Sequence, residues 1–167
     1  MQYRIETRGG LFIVGHSVVT SNLNNQSNID IPNFWNEYMN SGAMNVLHKE
    51  DFLVSDTEYG ICIPLKDCTN RFKYLIGVEA KRESDTRDYD FIEIAEQLYA
   101  IFTTPPAKRN NFSSVIQATW REIYEKWLPN SEYLFDSNGF DFELYDERCG
   151  CNLDSIVMDI YIPIKRK

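Results

Sequence analysis

The sequence predicts an α+β fold built from a duplicated β-β-α-β-β module. Three observations carry this: an internal repeat, strand-like segments around one amphipathic helix in each copy, and a charged break between the copies. Phe34-Trp35-Asn36-Glu37-Tyr38 answers Thr119-Trp120-Arg121-Glu122-Ile123 at an offset of 85. Ile5-Glu6-Thr7, with Leu11-Phe12-Ile13-Val14 behind it, answers Ile92-Glu93-Ile94 with Leu98-Tyr99-Ala100-Ile101, at 87. Tyr59-Gly60-Ile61-Cys62 answers Phe142-Glu143-Leu144-Tyr145 at 83, and residues 72–80 answer 156–164 at 84. Segments in one order at near-constant spacing mark a domain-forming unit copied once, not a solenoid of short modules. Two facing copies enclose a cleft on a central pseudo-twofold axis, and clefts take small molecules. The copies differ at one telling place: where the first has Gly60, the second has Glu143.

The elements follow in order. Residues 3–8 and 11–19 read as strands broken at Gly9-Gly10, the second rich in β-branched residues. After a polar loop over 21–28, Asp30 offers a helix N-cap with Pro32 in the first turn. Phe34, Trp35, Tyr38 and Met39 recur at helical spacing, which predicts a helix over 31–40 ending near Gly42. Residues 52–54 form a short strand; 59–65 and 71–80 pair antiparallel across a turn at 66–70. Residues 81–88 are charged and carry no apolar side chain, so they are expected to be an exposed linker. The second copy runs through strands at 91–94 and 98–104 to a helix over 113–128, capped by Ser113 or Ser114 and stopped by Pro129. Its buried stripe is Val115, Ile116, Thr119, Trp120, Ile123 and Trp127. Strands at 140–145 and 156–164 close the chain, giving a single domain over 1–167 with repeats 1–80 and 88–167.

Composition narrows the function. At 43% hydrophobic and 25% charged, 167 residues make an ordinary globular core, with an aromatic content of 14% that suits a ring-lined pocket. A net charge of −8 argues against direct nucleic-acid binding and favours cationic ligands. No stretch reaches the length of a membrane span and the N-terminus lacks a signal peptide's pattern, which predicts a cytoplasmic location. Cys62, Cys68, Cys149 and Cys151 form C-x5-C and C-x-C pairs unlike zinc knuckles and read as free cytosolic thiols. His16 and His48 stand far apart in sequence and read as structural or solvated. Neither a metal nor a cofactor is expected.

Strand alternation frames the Glu143 question. Phe140, Phe142 and Leu144 share a face apolar enough to pack under the helices, leaving Asp141, Glu143 and Tyr145 on the other. On the last strand Ile156, Met158, Ile160 and Ile162 form the core face, with Val157, Asp159 and Tyr161 opposite. The polar face is then either a solvated sheet surface or, if the copies enclose it, a pocket with a negative floor and aromatic walls.

Trp120-Arg121-Glu122-Ile123-Tyr124 with Trp127-Leu128-Pro129, then Phe142-Glu143-Leu144-Tyr145-Asp146 and Ile160-Tyr161-Ile162-Pro163-Ile164, resemble the GyrI-like small-molecule-binding superfamily. This is the effector-binding domain of AraC-type and multidrug-sensing regulators. Phe34-Trp35, Tyr59-Gly60-Ile61 and Tyr74-Leu75-Ile76-Gly77-Val78 extend the likeness over essentially the whole chain. The resemblance implies two SHS2-like repeats and a cleft in which a glutamate meets lipophilic cations. That role falls on Glu143, with Tyr145 in the same motif; Tyr161 follows from its strand and face. Trp35 and Trp120 either flank the cleft or seat their helices. No DNA-binding segment accompanies these motifs, so the implied function is a standalone binder of amphipathic cations, linked to transcriptional regulation or drug and toxin resistance. The family also contains hydrolases of cyclopropane-bearing toxins, in which Glu143 would activate water, and a gyrase-modulating protein. No other catalytic set is evident in the sequence.

Overall fold

A computed structural model describes residues 2–66, 70–82, 86, 88–150 and 154–167. The chain is α+β, with mainly antiparallel strands and few helices, and it forms two compact units: Phe12–Glu93, and Met1–Leu11 with Ile94–Lys167. In the first of these, the N-terminal unit, strands run in the order β3-β4-β2-β5: β2 (Leu11–Ser21), β3 (Leu53–Pro64), β4 (Arg71–Ala80) and β5 (Asp90–Ile94). Helices α1 (Ser27–Asn40) and α2 (Ala43–Leu47) pack on the sheet through Tyr38 and Leu47, against Val14, Tyr74, Ile76 and Val78. In the C-terminal unit the order is β1-β6-β9-β8, formed by β1 (Tyr3–Arg8), β6 (Gln97–Thr103), β9 (Asp159–Arg166) and β8 (Phe142–Tyr145). A further short strand, β7 (Tyr133–Phe135), pairs with the end of β9. Helix α3 (Phe112–Glu122) continues through a π turn (Ile123–Trp127) into α4 (Leu128–Asn130) and packs by Ile116, Trp120 and Ile123 on Ala100, Phe102, Met158, Ile160 and Ile162. Each such fully buried aliphatic or aromatic side chain contributes about 1.5–3 kcal/mol.

Several elements differ from the sequence expectation. Helix α1 begins at Ser27, so Asp30 lies inside it; its carboxylate accepts from Thr20 Oγ1 at 2.6 Å and Gln26 Nε2 at 2.7 Å instead of capping the helix. Pro32 is likewise within the helix, not in its first turn. The polar 21–28 segment conceals this start because its Asn and Ser residues favour loops as readily as first turns. The second helix runs through Pro129 and ends at Asn130, one residue beyond the expected stop. The short strand at 52–54 and the one at 59–65 are a single β3 with a register shift between Leu53 and Glu58, and α2 and β7 are additional. The predicted linker falls partly on 83–85 and 87, and the 66–70 turn largely on 67–69, outside the described residues. Lys81 and Arg82, which begin the linker, are exposed.

A charged network braces the C-terminal unit. Asp159, 2% exposed, accepts from Thr103 Oγ1 at 2.7 Å and pairs with Arg4 Nη2 and Arg148 Nη2, both at 3.0 Å; Arg148 also pairs with Asp146. Burial pushes the Asp159 carboxyl up, but the bonds from Arg148, Thr103 and Arg4 outweigh it and hold it below the usual carboxylate range. A depressed folded pKa stabilises the protein above the unfolded value of about 3.9, and that stabilisation is lost as pH falls below it. Asp159→Asn is therefore expected to cost about 2–3 kcal/mol at pH 7, less than a wholly buried pair because both arginines keep some water. In urea denaturation the gap between wild type and variant should narrow at pH 3. A gap of equal size at both pH values would show that lost packing, not lost charge, sets the effect.

Candidate functional site

The register of β8 against β9 decides where Glu143 points. Phe142 lies across from Tyr161, Glu143 from Ile160 and Leu144 from Asp159. Cross-strand partners share a face. Glu143 therefore joins Ile160 on the face covered by α3, whereas Phe142 and Leu144 share the opposite face with Tyr161 and Asp159. This corrects the face assignment made from the sequence, in which Phe142 and Leu144 packed under the helix and Glu143 shared a face with Tyr161. The reason is physical: residues 159–164 of β9 are buried throughout, so apolarity does not distinguish the two sides. In the N-terminal unit Gly60 faces Ile76 as Glu143 here faces Ile160.

Under α3, Glu143 is 5% exposed. The Trp120 indole Nε1 donates to Glu143 Oε1 at 2.7 Å and the Tyr145 hydroxyl to Oε2 at 2.9 Å. Tyr145 reaches because it stands two residues along the same strand, on the same face. Phe112, at the start of α3, meets the Tyr145 ring edge-on at 6.4 Å. Tyr124, one turn after Trp120, stacks on it with ring centroids 5.9 Å apart and donates its hydroxyl to Asp141 Oδ2 at 2.6 Å. The Glu143 carboxylate thus accepts from two aromatic side chains, whose rings are met in turn by Tyr124 and Phe112. Phe112 and Tyr124 were not singled out from the sequence; their i, i+4 relation to Ile116 and Trp120 was the available signal.

The remaining expected site residues are Tyr161 and Trp35. Tyr161, on the opposite face, stacks on Phe142 with centroids 4.5 Å apart, meets Tyr99 edge-on, and has the Arg8 guanidinium 5.7 Å from its ring centre. Burial raises its hydroxyl pKa, with Arg8 and Arg4 opposing. Trp35 belongs to the N-terminal unit, where its indole donates to the Tyr74 hydroxyl at 3.0 Å and its ring packs on the core. Cys62 and Cys149 are both partly buried; burial, with Asp146 adding to it, pushes Cys149 up to about 12, so that sulfur is no nucleophile. Cys68 and Cys151 lie outside the described residues. Among the described residues no cluster of His, Cys, Asp and Glu could hold a metal, and no helix is long and apolar enough to cross a membrane.

Known proteins share this architecture. SAV2435 bound to tetraphenylphosphonium superposes with a TM-score of 0.80 at 23% identity, covering 99% of this chain and 94% of that one. An integron cassette protein from the mobile metagenome of Vibrio cholerae gives 0.66 at 17% identity, covering 98% and 95%. EcmrR in its DNA complex gives 0.60 at 10% identity, covering 99% of this chain and 58% of that one. At these identities the likeness is one of fold, and the fold is GyrI-like. Comparison with curated proteins finds no match. The family model for integron-associated effector binding proteins, Cass2, matches residues 4–164, and the chain belongs to that family.

Proposed function

We propose that this protein is a non-catalytic binder of amphipathic, lipophilic organic cations, received beneath α3 against Glu143. The observation that carries the reading is a buried carboxylate under an aromatic cover. Burying a carboxylate is costly unless charge and hydrogen bonds compensate it. A ligand cation compensates the charge directly, and each ring face adds about 0.5–2 kcal/mol of cation–π attraction. Trp120 and Tyr145 hold the carboxylate in place while their rings supply the walls. The tetraphenylphosphonium complex of SAV2435 supports the choice of ligand class, and the net charge of −8 draws cations in. In this reading the protein is cytoplasmic, and the cation serves there as an effector in regulation or in drug and toxin resistance.

Titration with tetraphenylphosphonium and with neutral triphenylphosphine oxide tests this. The cation is expected to bind more tightly and to be recovered intact. Equal affinity for the neutral compound would remove the electrostatic reading, and a converted ligand would make the protein an enzyme. Tyr161, on the other sheet face, and Trp35, in the other unit, are tested by phenylalanine variants. Each is expected to change cation affinity less than loss of the Glu143 charge does.

A further inference from the structure

The N-terminal unit holds a second buried carboxylate. Glu58, on β3, lies across from Val78 of β4, on the face that α1 and α2 cover, and is 5% exposed. Its bonding is lopsided. The Tyr38 hydroxyl donates to Oε1 at 2.9 Å, and His48 Nε2 reaches the same oxygen at 2.6 Å. Oε2 is buried and has no hydrogen-bond partner. Glu143 differs, since Trp120 donates to one of its oxygens and Tyr145 to the other. An orphaned carboxylate oxygen is costly and calls for an N–H or O–H donor. Burial raises the pKa of Glu58, with the bonds from His48 and Tyr38 opposing, so the charged form is under-compensated.

The surroundings suit an aromatic guest. Tyr38 meets Trp35 and His16, His16 meets Tyr89, and Tyr89 meets Phe52, all at ring-centroid separations of 5.5–6.1 Å. His48 is the side chain between Glu58 and solvent. The His48 side chain is 19% exposed, and its Nδ1 lies 3.5 Å from the carboxylate of Asp56, which stands in solvent. His48 therefore bridges the buried carboxylate and an exposed one, and can turn toward Asp56 without losing an acidic partner.

We propose that Glu58 anchors a second ligand site, in the N-terminal unit, that takes a protonated primary or secondary amine bearing an aromatic group. The ammonium donates to Oε2, Tyr38 keeps its bond to Oε1, and His48 swings toward Asp56 to admit the ring. The need for an N–H donor separates this site from the Glu143 site, where a cation without N–H groups suffices. The inference does not rest on the function proposed for Glu143.

Phenethylammonium and its N,N,N-trimethyl analogue are the probes, and Glu143→Gln protein isolates the second site. Phenethylammonium is expected to bind this variant, to shift the His48 imidazole signals in NMR, and to exceed the trimethyl analogue in affinity by about tenfold or more. Adding Glu58→Gln should weaken amine binding by about tenfold or more. An unmoved His48 signal overturns the proposal, as does equal affinity for the two probes or indifference to Glu58→Gln. Should the double variant fail to fold, the His48 shift and the contrast between probes decide in the single variant. Failure of tetraphenylphosphonium to bind wild type would count against the Glu143 reading alone.

Discussion

Glu143→Gln is expected to lower affinity for tetraphenylphosphonium roughly ten- to a hundredfold while the protein stays folded. The affinity loss corresponds to a charge-assisted contact of about 1.5–3 kcal/mol. The fold survives because of how the two partners can rearrange. The Trp120 indole N–H is a donor only and requires an oxygen, which the glutamine carbonyl supplies. That leaves the glutamine NH2 toward Tyr145, whose hydroxyl can turn and accept. Both hydrogen bonds persist and only the charge is gone. Titration of both proteins, with near-ultraviolet circular dichroism as the control for packing, checks the result. Equal affinities would take Glu143 out of the site and leave the rings alone to explain binding.

Gly77→Ala should be among the most destabilising single-methyl additions in the chain, at about 3 kcal/mol. Gly15 on β2 and Gly77 on β4 lie directly across from one another. A Cβ at Gly77 would overlap the carbonyl oxygen of Val14, and one at Gly15 the carbonyl oxygen of Ile76. Both obstacles are backbone, so no side chain can turn aside; β2 and β4 would have to part in the middle of the N-terminal unit's sheet. Glycine inside a strand commonly marks such a close backbone approach. Gly9→Ala is the matched control, because a Cβ there meets nothing within 4 Å. Urea midpoints at constant m-value measure both variants. A loss at Gly77 no greater than that at Gly9 would show that the strands separate freely.

Much of this architecture was legible in the sequence, for stated reasons. β1, β2 and β6 fall within a residue or two of their expected bounds, because alternating and β-branched runs between glycines and polar turns leave little choice. The buried stripe from Val115 through Ile123 follows from helical periodicity, and Gly60 and Glu143 have the corresponding cross-strand partners Ile76 and Ile160. Glu143 and Tyr145 were legible through their motif, but the face they occupy was not. A strand buried on both sides carries no polarity contrast, and only pairing register reveals its orientation. Glu58 was hidden for a related reason. It ends the polar run Ser55-Asp56-Thr57-Glu58, which falls between the two expected strands, and only the register shift within β3 carries it under the helices.

The pairing of β1 with β6 has a consequence for how the protein is made. β1 is synthesised well before the rest of its unit, since β6 and β9 lie about a hundred residues or more downstream of it. Residues 12–93, by contrast, are contiguous and can fold while the remainder is still being synthesised. Until β6 emerges, β1 is an unpaired strand with exposed N–H and C=O groups, and such edges invite pairing with other chains. The two sequence copies are thus poor places to cut the gene. A fragment beginning at residue 88 would lack the edge strand of its own sheet, and adding residues 3–8 back as a separate peptide should restore it.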